Sequence, residues 1–268
     1  YNKSISPLRL LKLHTLLPPS PSTSYPSPSP LQTFYTTHLS TPISLTFLSS
    51  TSPSTVTILS HGNASDIGTM LSRGESIAQA TGSVVVGYDY KGYGESEGEK
   101  TTEWETYETI ESIYTTFLPL LPSLLSRYVT LSQDYSVFLY GQSVGSGPSI
   151  WLASGGGRGN NEGCEDGPLS LCLRYTCLNY FCCRPLLPLP SSGWRLTPSP
   201  SRIRGVVLHS PFLSGMRVLT GNRVLGCLDI YGNLGRVKYV EAEVFIIHGV
   251  DDEDVKVEQG ERLRDVSG

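Results

Sequence analysis

Three things are scarce in this chain, and each scarcity excludes a class of function. Positive charge is not in excess: Lys plus Arg number 20 against 24 Asp plus Glu, for a net charge of −4. No basic patch dominates, so nucleic acid is not expected as a partner. Long apolar runs are missing as well. Nothing reaches the roughly 18 uninterrupted apolar residues that a spanning helix requires. Paired cysteine motifs are the third absence. Five of the six cysteines (Cys164, Cys172, Cys177, Cys182 and Cys183, but not Cys227) crowd into one segment. None forms a C-x-x-C pair with a second pair or with nearby histidines, so a zinc site is not expected; no cofactor is expected either. Free thiols in a reducing compartment are the expected state.

What is present is enough for one sizeable α/β domain: 268 residues, 38% of them hydrophobic, can bury a substantial core. Residues 1–30 are rich in Ser and Pro and are expected to be disordered. The first residue is Tyr1 rather than Met, which suggests a fragment at the N-terminus, with any leader or lipid anchor out of view. An incomplete domain over 31–268 is expected, interrupted at 155–204. That interruption opens with a Gly-rich stretch and continues with apolar residues, cysteines and prolines that share no period. A mobile lid, a membrane-touching segment with acylatable cysteines, and translated non-coding sequence all fit it; the last fits best, since long irregular loops inside a domain are uncommon.

Alternation and β-branching predict an antiparallel strand pair in LQTFYTT and PISLTFLSS, and a third strand in STVTILS. SVVVGYDY, residues 83–90, is a continuous apolar run, as expected of a central strand covered on both faces. Helices are predicted over 66–80 and 103–118. In the second, Trp104, Tyr107, Ile110, Tyr114 and Phe117 recur at helical spacing and read as a core face rather than a ligand site. RGVVLHSPF and VFIIH supply two later strands. Strand and helix alternate throughout, which predicts a doubly wound, mostly parallel sheet.

The chemistry concentrates at Gly141-Gln142-Ser143-Val144-Gly145, directly after the apolar run at 136–140. A buried strand followed by G-x-S-x-G is the nucleophile elbow of the α/β-hydrolase fold. Small residues two positions either side of the serine are needed because a Cβ there would strike the adjoining strand and helix. The turn exposes the hydroxyl and aims the Val144 N–H at a developing oxyanion. His61-Gly62-Asn63 ends another strand and offers the Asn63 N–H as a second donor; by itself it would be read as a simple turn. The acidic cluster Asp251-Asp252-Glu253-Asp254 follows VFIIHG, where a triad acid is expected to orient an imidazole. Asp252 is the candidate and Asp251 the runner-up; the others read as a solvated turn.

LSHGNASDIGTM, GYDYKGYGESEG, FLYGQSVGSGP, VVLHSPFLSGMRV, DIYGNLGRV and FIIHGVDDEDV, in this order, resemble the α/β-hydrolase domain-containing protein 17 family. The resemblance covers most of residues 56–154 and 204–262. It implies a membrane-associated serine hydrolase that removes palmitoyl groups from cysteines of proteins, at the cytoplasmic face of the plasma membrane or endosomes. It also implies that Ser143 is the nucleophile, Asp252 the triad acid, and Asn63 and Val144 the oxyanion-hole positions. Three departures stand out: no N-terminal cysteine cluster, the 155–204 insertion, and no histidine after His248, where the family's catalytic histidine follows one more strand.

That last departure matters because a serine hydroxyl is a weak nucleophile without an adjacent base. His14, His38, His61, His209 and His248 each read as structural. The chain as it stands is therefore expected to be a C-terminally truncated, impaired palmitoyl-protein thioesterase. A carboxylesterase or serine peptidase on the same scaffold, and a non-catalytic pseudo-hydrolase that binds rather than cleaves, remain open.

Overall fold

Alternating side chains set β1 (Leu31–His38) and β2 (Thr41–Leu48), which pair antiparallel from Leu31 opposite Leu48 to His38 opposite Thr41. The computed structural model describes residues 31–49, 51–63, 65–96, 101–156, 202–215 and 230–267. The expected disorder over 1–30, and all but the edges of the 155–204 insertion, lie outside them. The turn between β1 and β2 holds Leu39 and Ser40 at φ 47° and 65°. Both central residues are thus in the left-handed region, as in the primed turns that match strand twist. The chain makes this turn without the Asn-Gly that usually marks it in a sequence.

Two units divide the chain, one up to Leu139 and one from Tyr140 onward. In the first, β3 (Thr55–Ser60) and β4 (Val84–Tyr88) pair in parallel, and β4 also pairs antiparallel with β2. All five residues of β4 are buried, which is why it reads as an unbroken apolar run. The strand order here is β1-β2-β4-β3-β5, with β5 (Ser136–Gln142) crossing into the second unit.

Helix α1 spans Leu71–Thr81 and stops at Gly82, whose φ of 66° turns the chain out of the helix. It begins later than its predicted start at 66. Asp66 Oδ1 accepts the Thr69 N–H at 2.7 Å, and Thr69 Oγ1 accepts the Asp66 N–H at 2.9 Å, a local arrangement that displaces the first helical turn. Helix α2 (Glu103–Ser112) opens on a reciprocal cap between Thr102 and Glu105. It continues through a π-helical turn (Ile113–Phe117) and a 3₁₀ turn (Leu118–Leu120) into α3 (Leu121–Leu125). Tyr107, Ile110, Tyr114 and Phe117 are buried as expected, but Trp104 is 46% exposed. It lies in the first turn, and its indole N–H donates to Glu108 at 2.8 Å along the helix surface. The core face starts at Tyr107.

In the second unit the order is β5-β6-β7. β6 (Ile203–His209) and β7 (Glu243–Ile247) pair in parallel. Helix α4 (Ser146–Ala153) follows β5 after a 3₁₀ turn at Ser143–Gly145, and every residue of α4 is buried. Short α5 (Asn233–Arg236), which runs into a 3₁₀ turn (Val237–Tyr239), and α6 (Val257–Arg264) complete the described elements. Strand–helix alternation with parallel β3–β4 and β6–β7 pairs, and β2 as the antiparallel strand between β1 and β4, is the expected α/β architecture.

Candidate active site

Ser143 stands where β5 gives way to α4 and has φ 49°, a left-handed conformation that a non-glycine residue adopts only under constraint. The constraint is visible. A Cβ on Gly141 would strike the Gly145 carbonyl oxygen and sit 2.7 Å from Ser149 Oγ, so the chain folds back on itself there as closely as backbone allows. Ser149 Oγ donates to that same Gly145 carbonyl at 2.8 Å, and Ser146 Oγ donates to the Ser143 carbonyl at 2.6 Å. Val144 follows Ser143 in the turn. This is a strained strand-turn-helix of the elbow type, with its serine half-buried.

Support for the turn comes from a segment whose role the sequence alone does not reveal. Asn233, fully buried in the DIYGNLGRV motif, donates from Nδ2 to Ser146 Oγ at 3.3 Å and to the Phe212 carbonyl at 2.9 Å. Tyr231, itself at φ 53°, lays its ring over Gly147, where a Cβ would collide with it. The Gly and Ser after the elbow are therefore shaped by the 231–233 turn.

Asp252 is half-buried, whereas Asp251, Glu253 and Asp254 are exposed. Its Oδ1 accepts the Val255 N–H at 2.9 Å and the Asp254 N–H at 3.1 Å. Ser210, at φ 46° just after β6, also bonds the carboxylate. The Val255 N–H bond is the main cause that holds Asp252 below the usual carboxylate range, with Ser210, the Asp254 N–H and His248 adding to it. It is an ionised, oriented acid, and Asp251 lacks these bonds. His248 is turned toward this loop: Nε2 donates to the Val255 carbonyl at 2.6 Å and lies 3.7 Å from Asp252 Oδ2, while Nδ1 is buried against Gly260. The preference for a structural His248 fits that geometry.

Asn63 belongs to the first unit, where the turn after β3 is held by the GYDYKGYG motif. Tyr90 Oη donates to the His61 carbonyl at 3.1 Å, and Tyr93 Oη donates to Asn63 Oδ1 at 2.8 Å. His61 is fully buried, with its ring 4.3 Å from that of Tyr90 and 5.3 Å from that of Tyr93. Gly92 and Gly94 carry φ of 75° and 52°, and a Cβ on Gly94 would strike the Asp89 carboxylate. The glycines thus let the motif wrap back over Asp89. Sequence spacing located the His61–Asn63 turn but not its Tyr and Asp supports.

Among the described residues, no three His, Cys, Asp or Glu side chains could hold a metal ion, and no helix is long and apolar enough to cross a membrane.

No family model matches the chain. Solved structures share its fold: an esterase from Pyrococcus furiosus (TM-score 0.52, 14% identity, covering 88% of this chain and 77% of that one), and an alpha-beta serine hydrolase homologue from Coxiella burnetii (TM-score 0.50, 13% identity, 88% and 82%). Among curated proteins, alpha/beta hydrolase domain-containing protein 17C of Xenopus tropicalis is 29% identical over 204 residues, 76% of this chain and 48% of that protein. The human 17B protein is likewise 29% identical over 204 residues, covering 52% of its own length. The chain thus spans about half the length of the curated relatives it matches. Its fold is that of the α/β hydrolases, and the curated relatives it matches are alpha/beta hydrolase domain-containing 17 proteins.

Proposed function

We propose that this chain carries the reaction centre of a serine acyl hydrolase that acts on palmitoyl thioesters of proteins. The observation that carries the proposal is Ser143 at φ 49° on a glycine-flanked turn, in a chain similar to the domain-containing 17 proteins. In the proposed reaction Ser143 Oγ bonds to the thioester carbonyl carbon and its proton passes to a base. Asn63 and Val144 N–H groups donate to the resulting oxyanion, a role in which one donor typically contributes on the order of 100- to 1000-fold in rate. The C–S bond then breaks, the proton goes to the departing cysteine sulfur, and water hydrolyses the acyl-serine. Asp252 would fix the tautomer of the base and stabilise its cationic form.

The base is assigned to none of the four described histidines. His38 Nε2 bonds Thr116, His61 is buried on Gly62, His209 Nδ1 bonds Tyr140, and His248 bonds Val255. We therefore assign it outside the described residues and expect the described residues by themselves to turn over slowly. That same engagement of the histidines is what favours a second reading, a non-catalytic binding protein; a carboxylesterase or serine peptidase on the same scaffold also keeps to the site. S-acylated proteins are the proposed partners. Peripheral association with the cytoplasmic face of membranes is proposed with them.

Hydrolysis of a palmitoyl thioester and of matched acyl esters, with and without added imidazole as a diffusible base, tests the assignment. The proposal expects slow thioester cleavage that imidazole accelerates and Ser143→Ala abolishes. A rate unchanged by Ser143→Ala, or no cleavage under any condition, removes it; cleavage of esters only favours the carboxylesterase.

A further inference from the structure

The pair His61 and Asp89 is buried, ionisable and unused by the reaction above. His61 Nδ1 lies 2.8 Å from the Gly62 carbonyl oxygen. A carbonyl only accepts, so Nδ1 carries the hydrogen and Nε2 of the neutral ring is a bare acceptor. That Nε2 has no hydrogen-bond partner among the described residues and faces Asp89 Oδ1 at 3.6 Å. Two acceptors facing each other in a dry site repel, unless a proton sits between them. Asp89 is itself buried, and its carboxyl accepts the Ile67 N–H at 2.8 Å and the Glu95 N–H.

The bond to Gly62 has a consequence for Asn63. The Gly62 C=O and the Asn63 N–H belong to one planar peptide group and, in a trans peptide, point in opposite directions. Whatever fixes and polarises the carbonyl therefore aims the N–H on its far side and strengthens it as a donor. Tyr90 holds the preceding carbonyl and Tyr93 holds the Asn63 side chain, so the turn is pinned before and after the peptide that matters.

We propose that His61 and Asp89 are positioning residues for the Asn63 N–H, the one proton they share keeping His61 in the Nδ1–H tautomer that orients the Gly62–Asn63 peptide. This rests on the proposed oxyanion role of Asn63. When the pair loses its proton, the ring hydrogen is drawn to Nε2 to face the carboxylate, and the bond to Gly62 is lost. The surroundings favour retention of that proton below neutrality. Burial lowers His61 to about 4 and raises Asp89 to about 7. Among the described residues, the charged groups acting on the pair are Asp66 and Glu95, both acidic, and the phenols of Tyr88, Tyr90 and Tyr93 stand beside it. Burial, with Asp66 and Glu95 adding to it, holds the proton up to about pH 7.

The test compares the chain with Asp89→Asn, whose amide stays neutral at every pH, though it gives up one backbone acceptor. Nitrogen NMR of the labelled His61 ring reads the tautomer without any need for activity. The proposal expects Nδ1–H at pH 6, a change toward Nε2–H above about pH 7 in the parent, and Nδ1–H retained to alkaline pH in Asp89→Asn. Fluorophosphonate labelling of Ser143, taken at each pH as the ratio of parent to variant, cancels the titration of nucleophile and base. That ratio should fall about tenfold from pH 6 to alkaline pH, a fraction of the loss of a whole oxyanion donor. An Nε2–H tautomer at pH 6, identical tautomer titrations in both proteins, or a flat labelling ratio overturns the positioning role. Failure of the parent to label at Ser143 with imidazole supplied as base sinks the hydrolase assignment instead, and the NMR result still decides the pair.

Discussion

Replacing Gly141 with alanine presses on the tightest point of the Ser143 turn. The added methyl would overlap the Gly145 carbonyl oxygen and lie 2.7 Å from Ser149 Oγ, where relaxed carbon contacts are about 3.5 Å. The serine hydroxyl can rotate away. The carbonyl cannot, because it is backbone at the start of α4 and already accepts the Ser149 hydroxyl at 2.8 Å. Strand and helix must then separate by roughly 1 Å, an overpacking cost of about 1–3 kcal/mol, or about 3–10 °C in Tm for a domain of this size. The larger effect falls on Ser143, because misplacement of a reacting group by about 1 Å costs on the order of 100-fold in rate. Thermal denaturation gives the first number, and the rate constant for fluorophosphonate labelling gives the second. The double variant Gly141→Ala/Ser149→Ala relieves only the side-chain clash and should recover little reactivity. A Gly141→Ala protein as stable and as reactive as the parent would refute the close-approach argument.

Three further outcomes follow from other parts of the molecule. Leu39→Asn with Ser40→Gly replaces two strained left-handed residues by residues suited to the turn, and the urea midpoint should rise by the equivalent of about 1–2 kcal/mol. Asp252 has a folded pKa below its unfolded value, so its stabilisation is present above about pH 4 and is lost as pH falls through the folded value; Asp252→Asn should flatten acid unfolding there, and a parent-like acid limb would contradict the loop bonds. His61, lowered to about 4, adds stability above the usual histidine range and loses it as pH falls, whereas Asp89, raised to about 7, costs stability as pH rises toward that value. Between about pH 4 and 6.5 folded and unfolded pairs each hold one proton and the slopes cancel; urea midpoints of Asp89→Asn should therefore rise with pH in this window while the parent's gain nothing from the pair.

The strands were legible because burial on one or both faces writes itself directly into alternation or unbroken apolar runs: Val84–Tyr88 reads as central and is buried throughout. The start of α1 was not, because Asp66 and Thr69 bond each other's backbone and displace a turn that propensity alone would grant. Trp104 misled for a related reason: helical spacing says which residues share a face but not where the covering layer begins. At the site, G-x-S-x-G identified the turn because its glycines answer a steric demand at Gly141. The supports from Asn233, Tyr231, Ser210 and Asp89 were hidden. Each acts across a gap of many residues, through hydrogen bonds, a ring contact or a buried polar approach that leave no periodic trace.

The chemistry depends throughout on the strained serine being the group that takes up the acyl chain. Peptide mapping by mass spectrometry after fluorophosphonate treatment, with imidazole supplied as base, interrogates this directly. The account predicts one covalent adduct, on the peptide that carries Ser143, abolished in Ser143→Ala and slowed in Gly141→Ala. An adduct on a different serine, or one that survives Ser143→Ala, would contradict it.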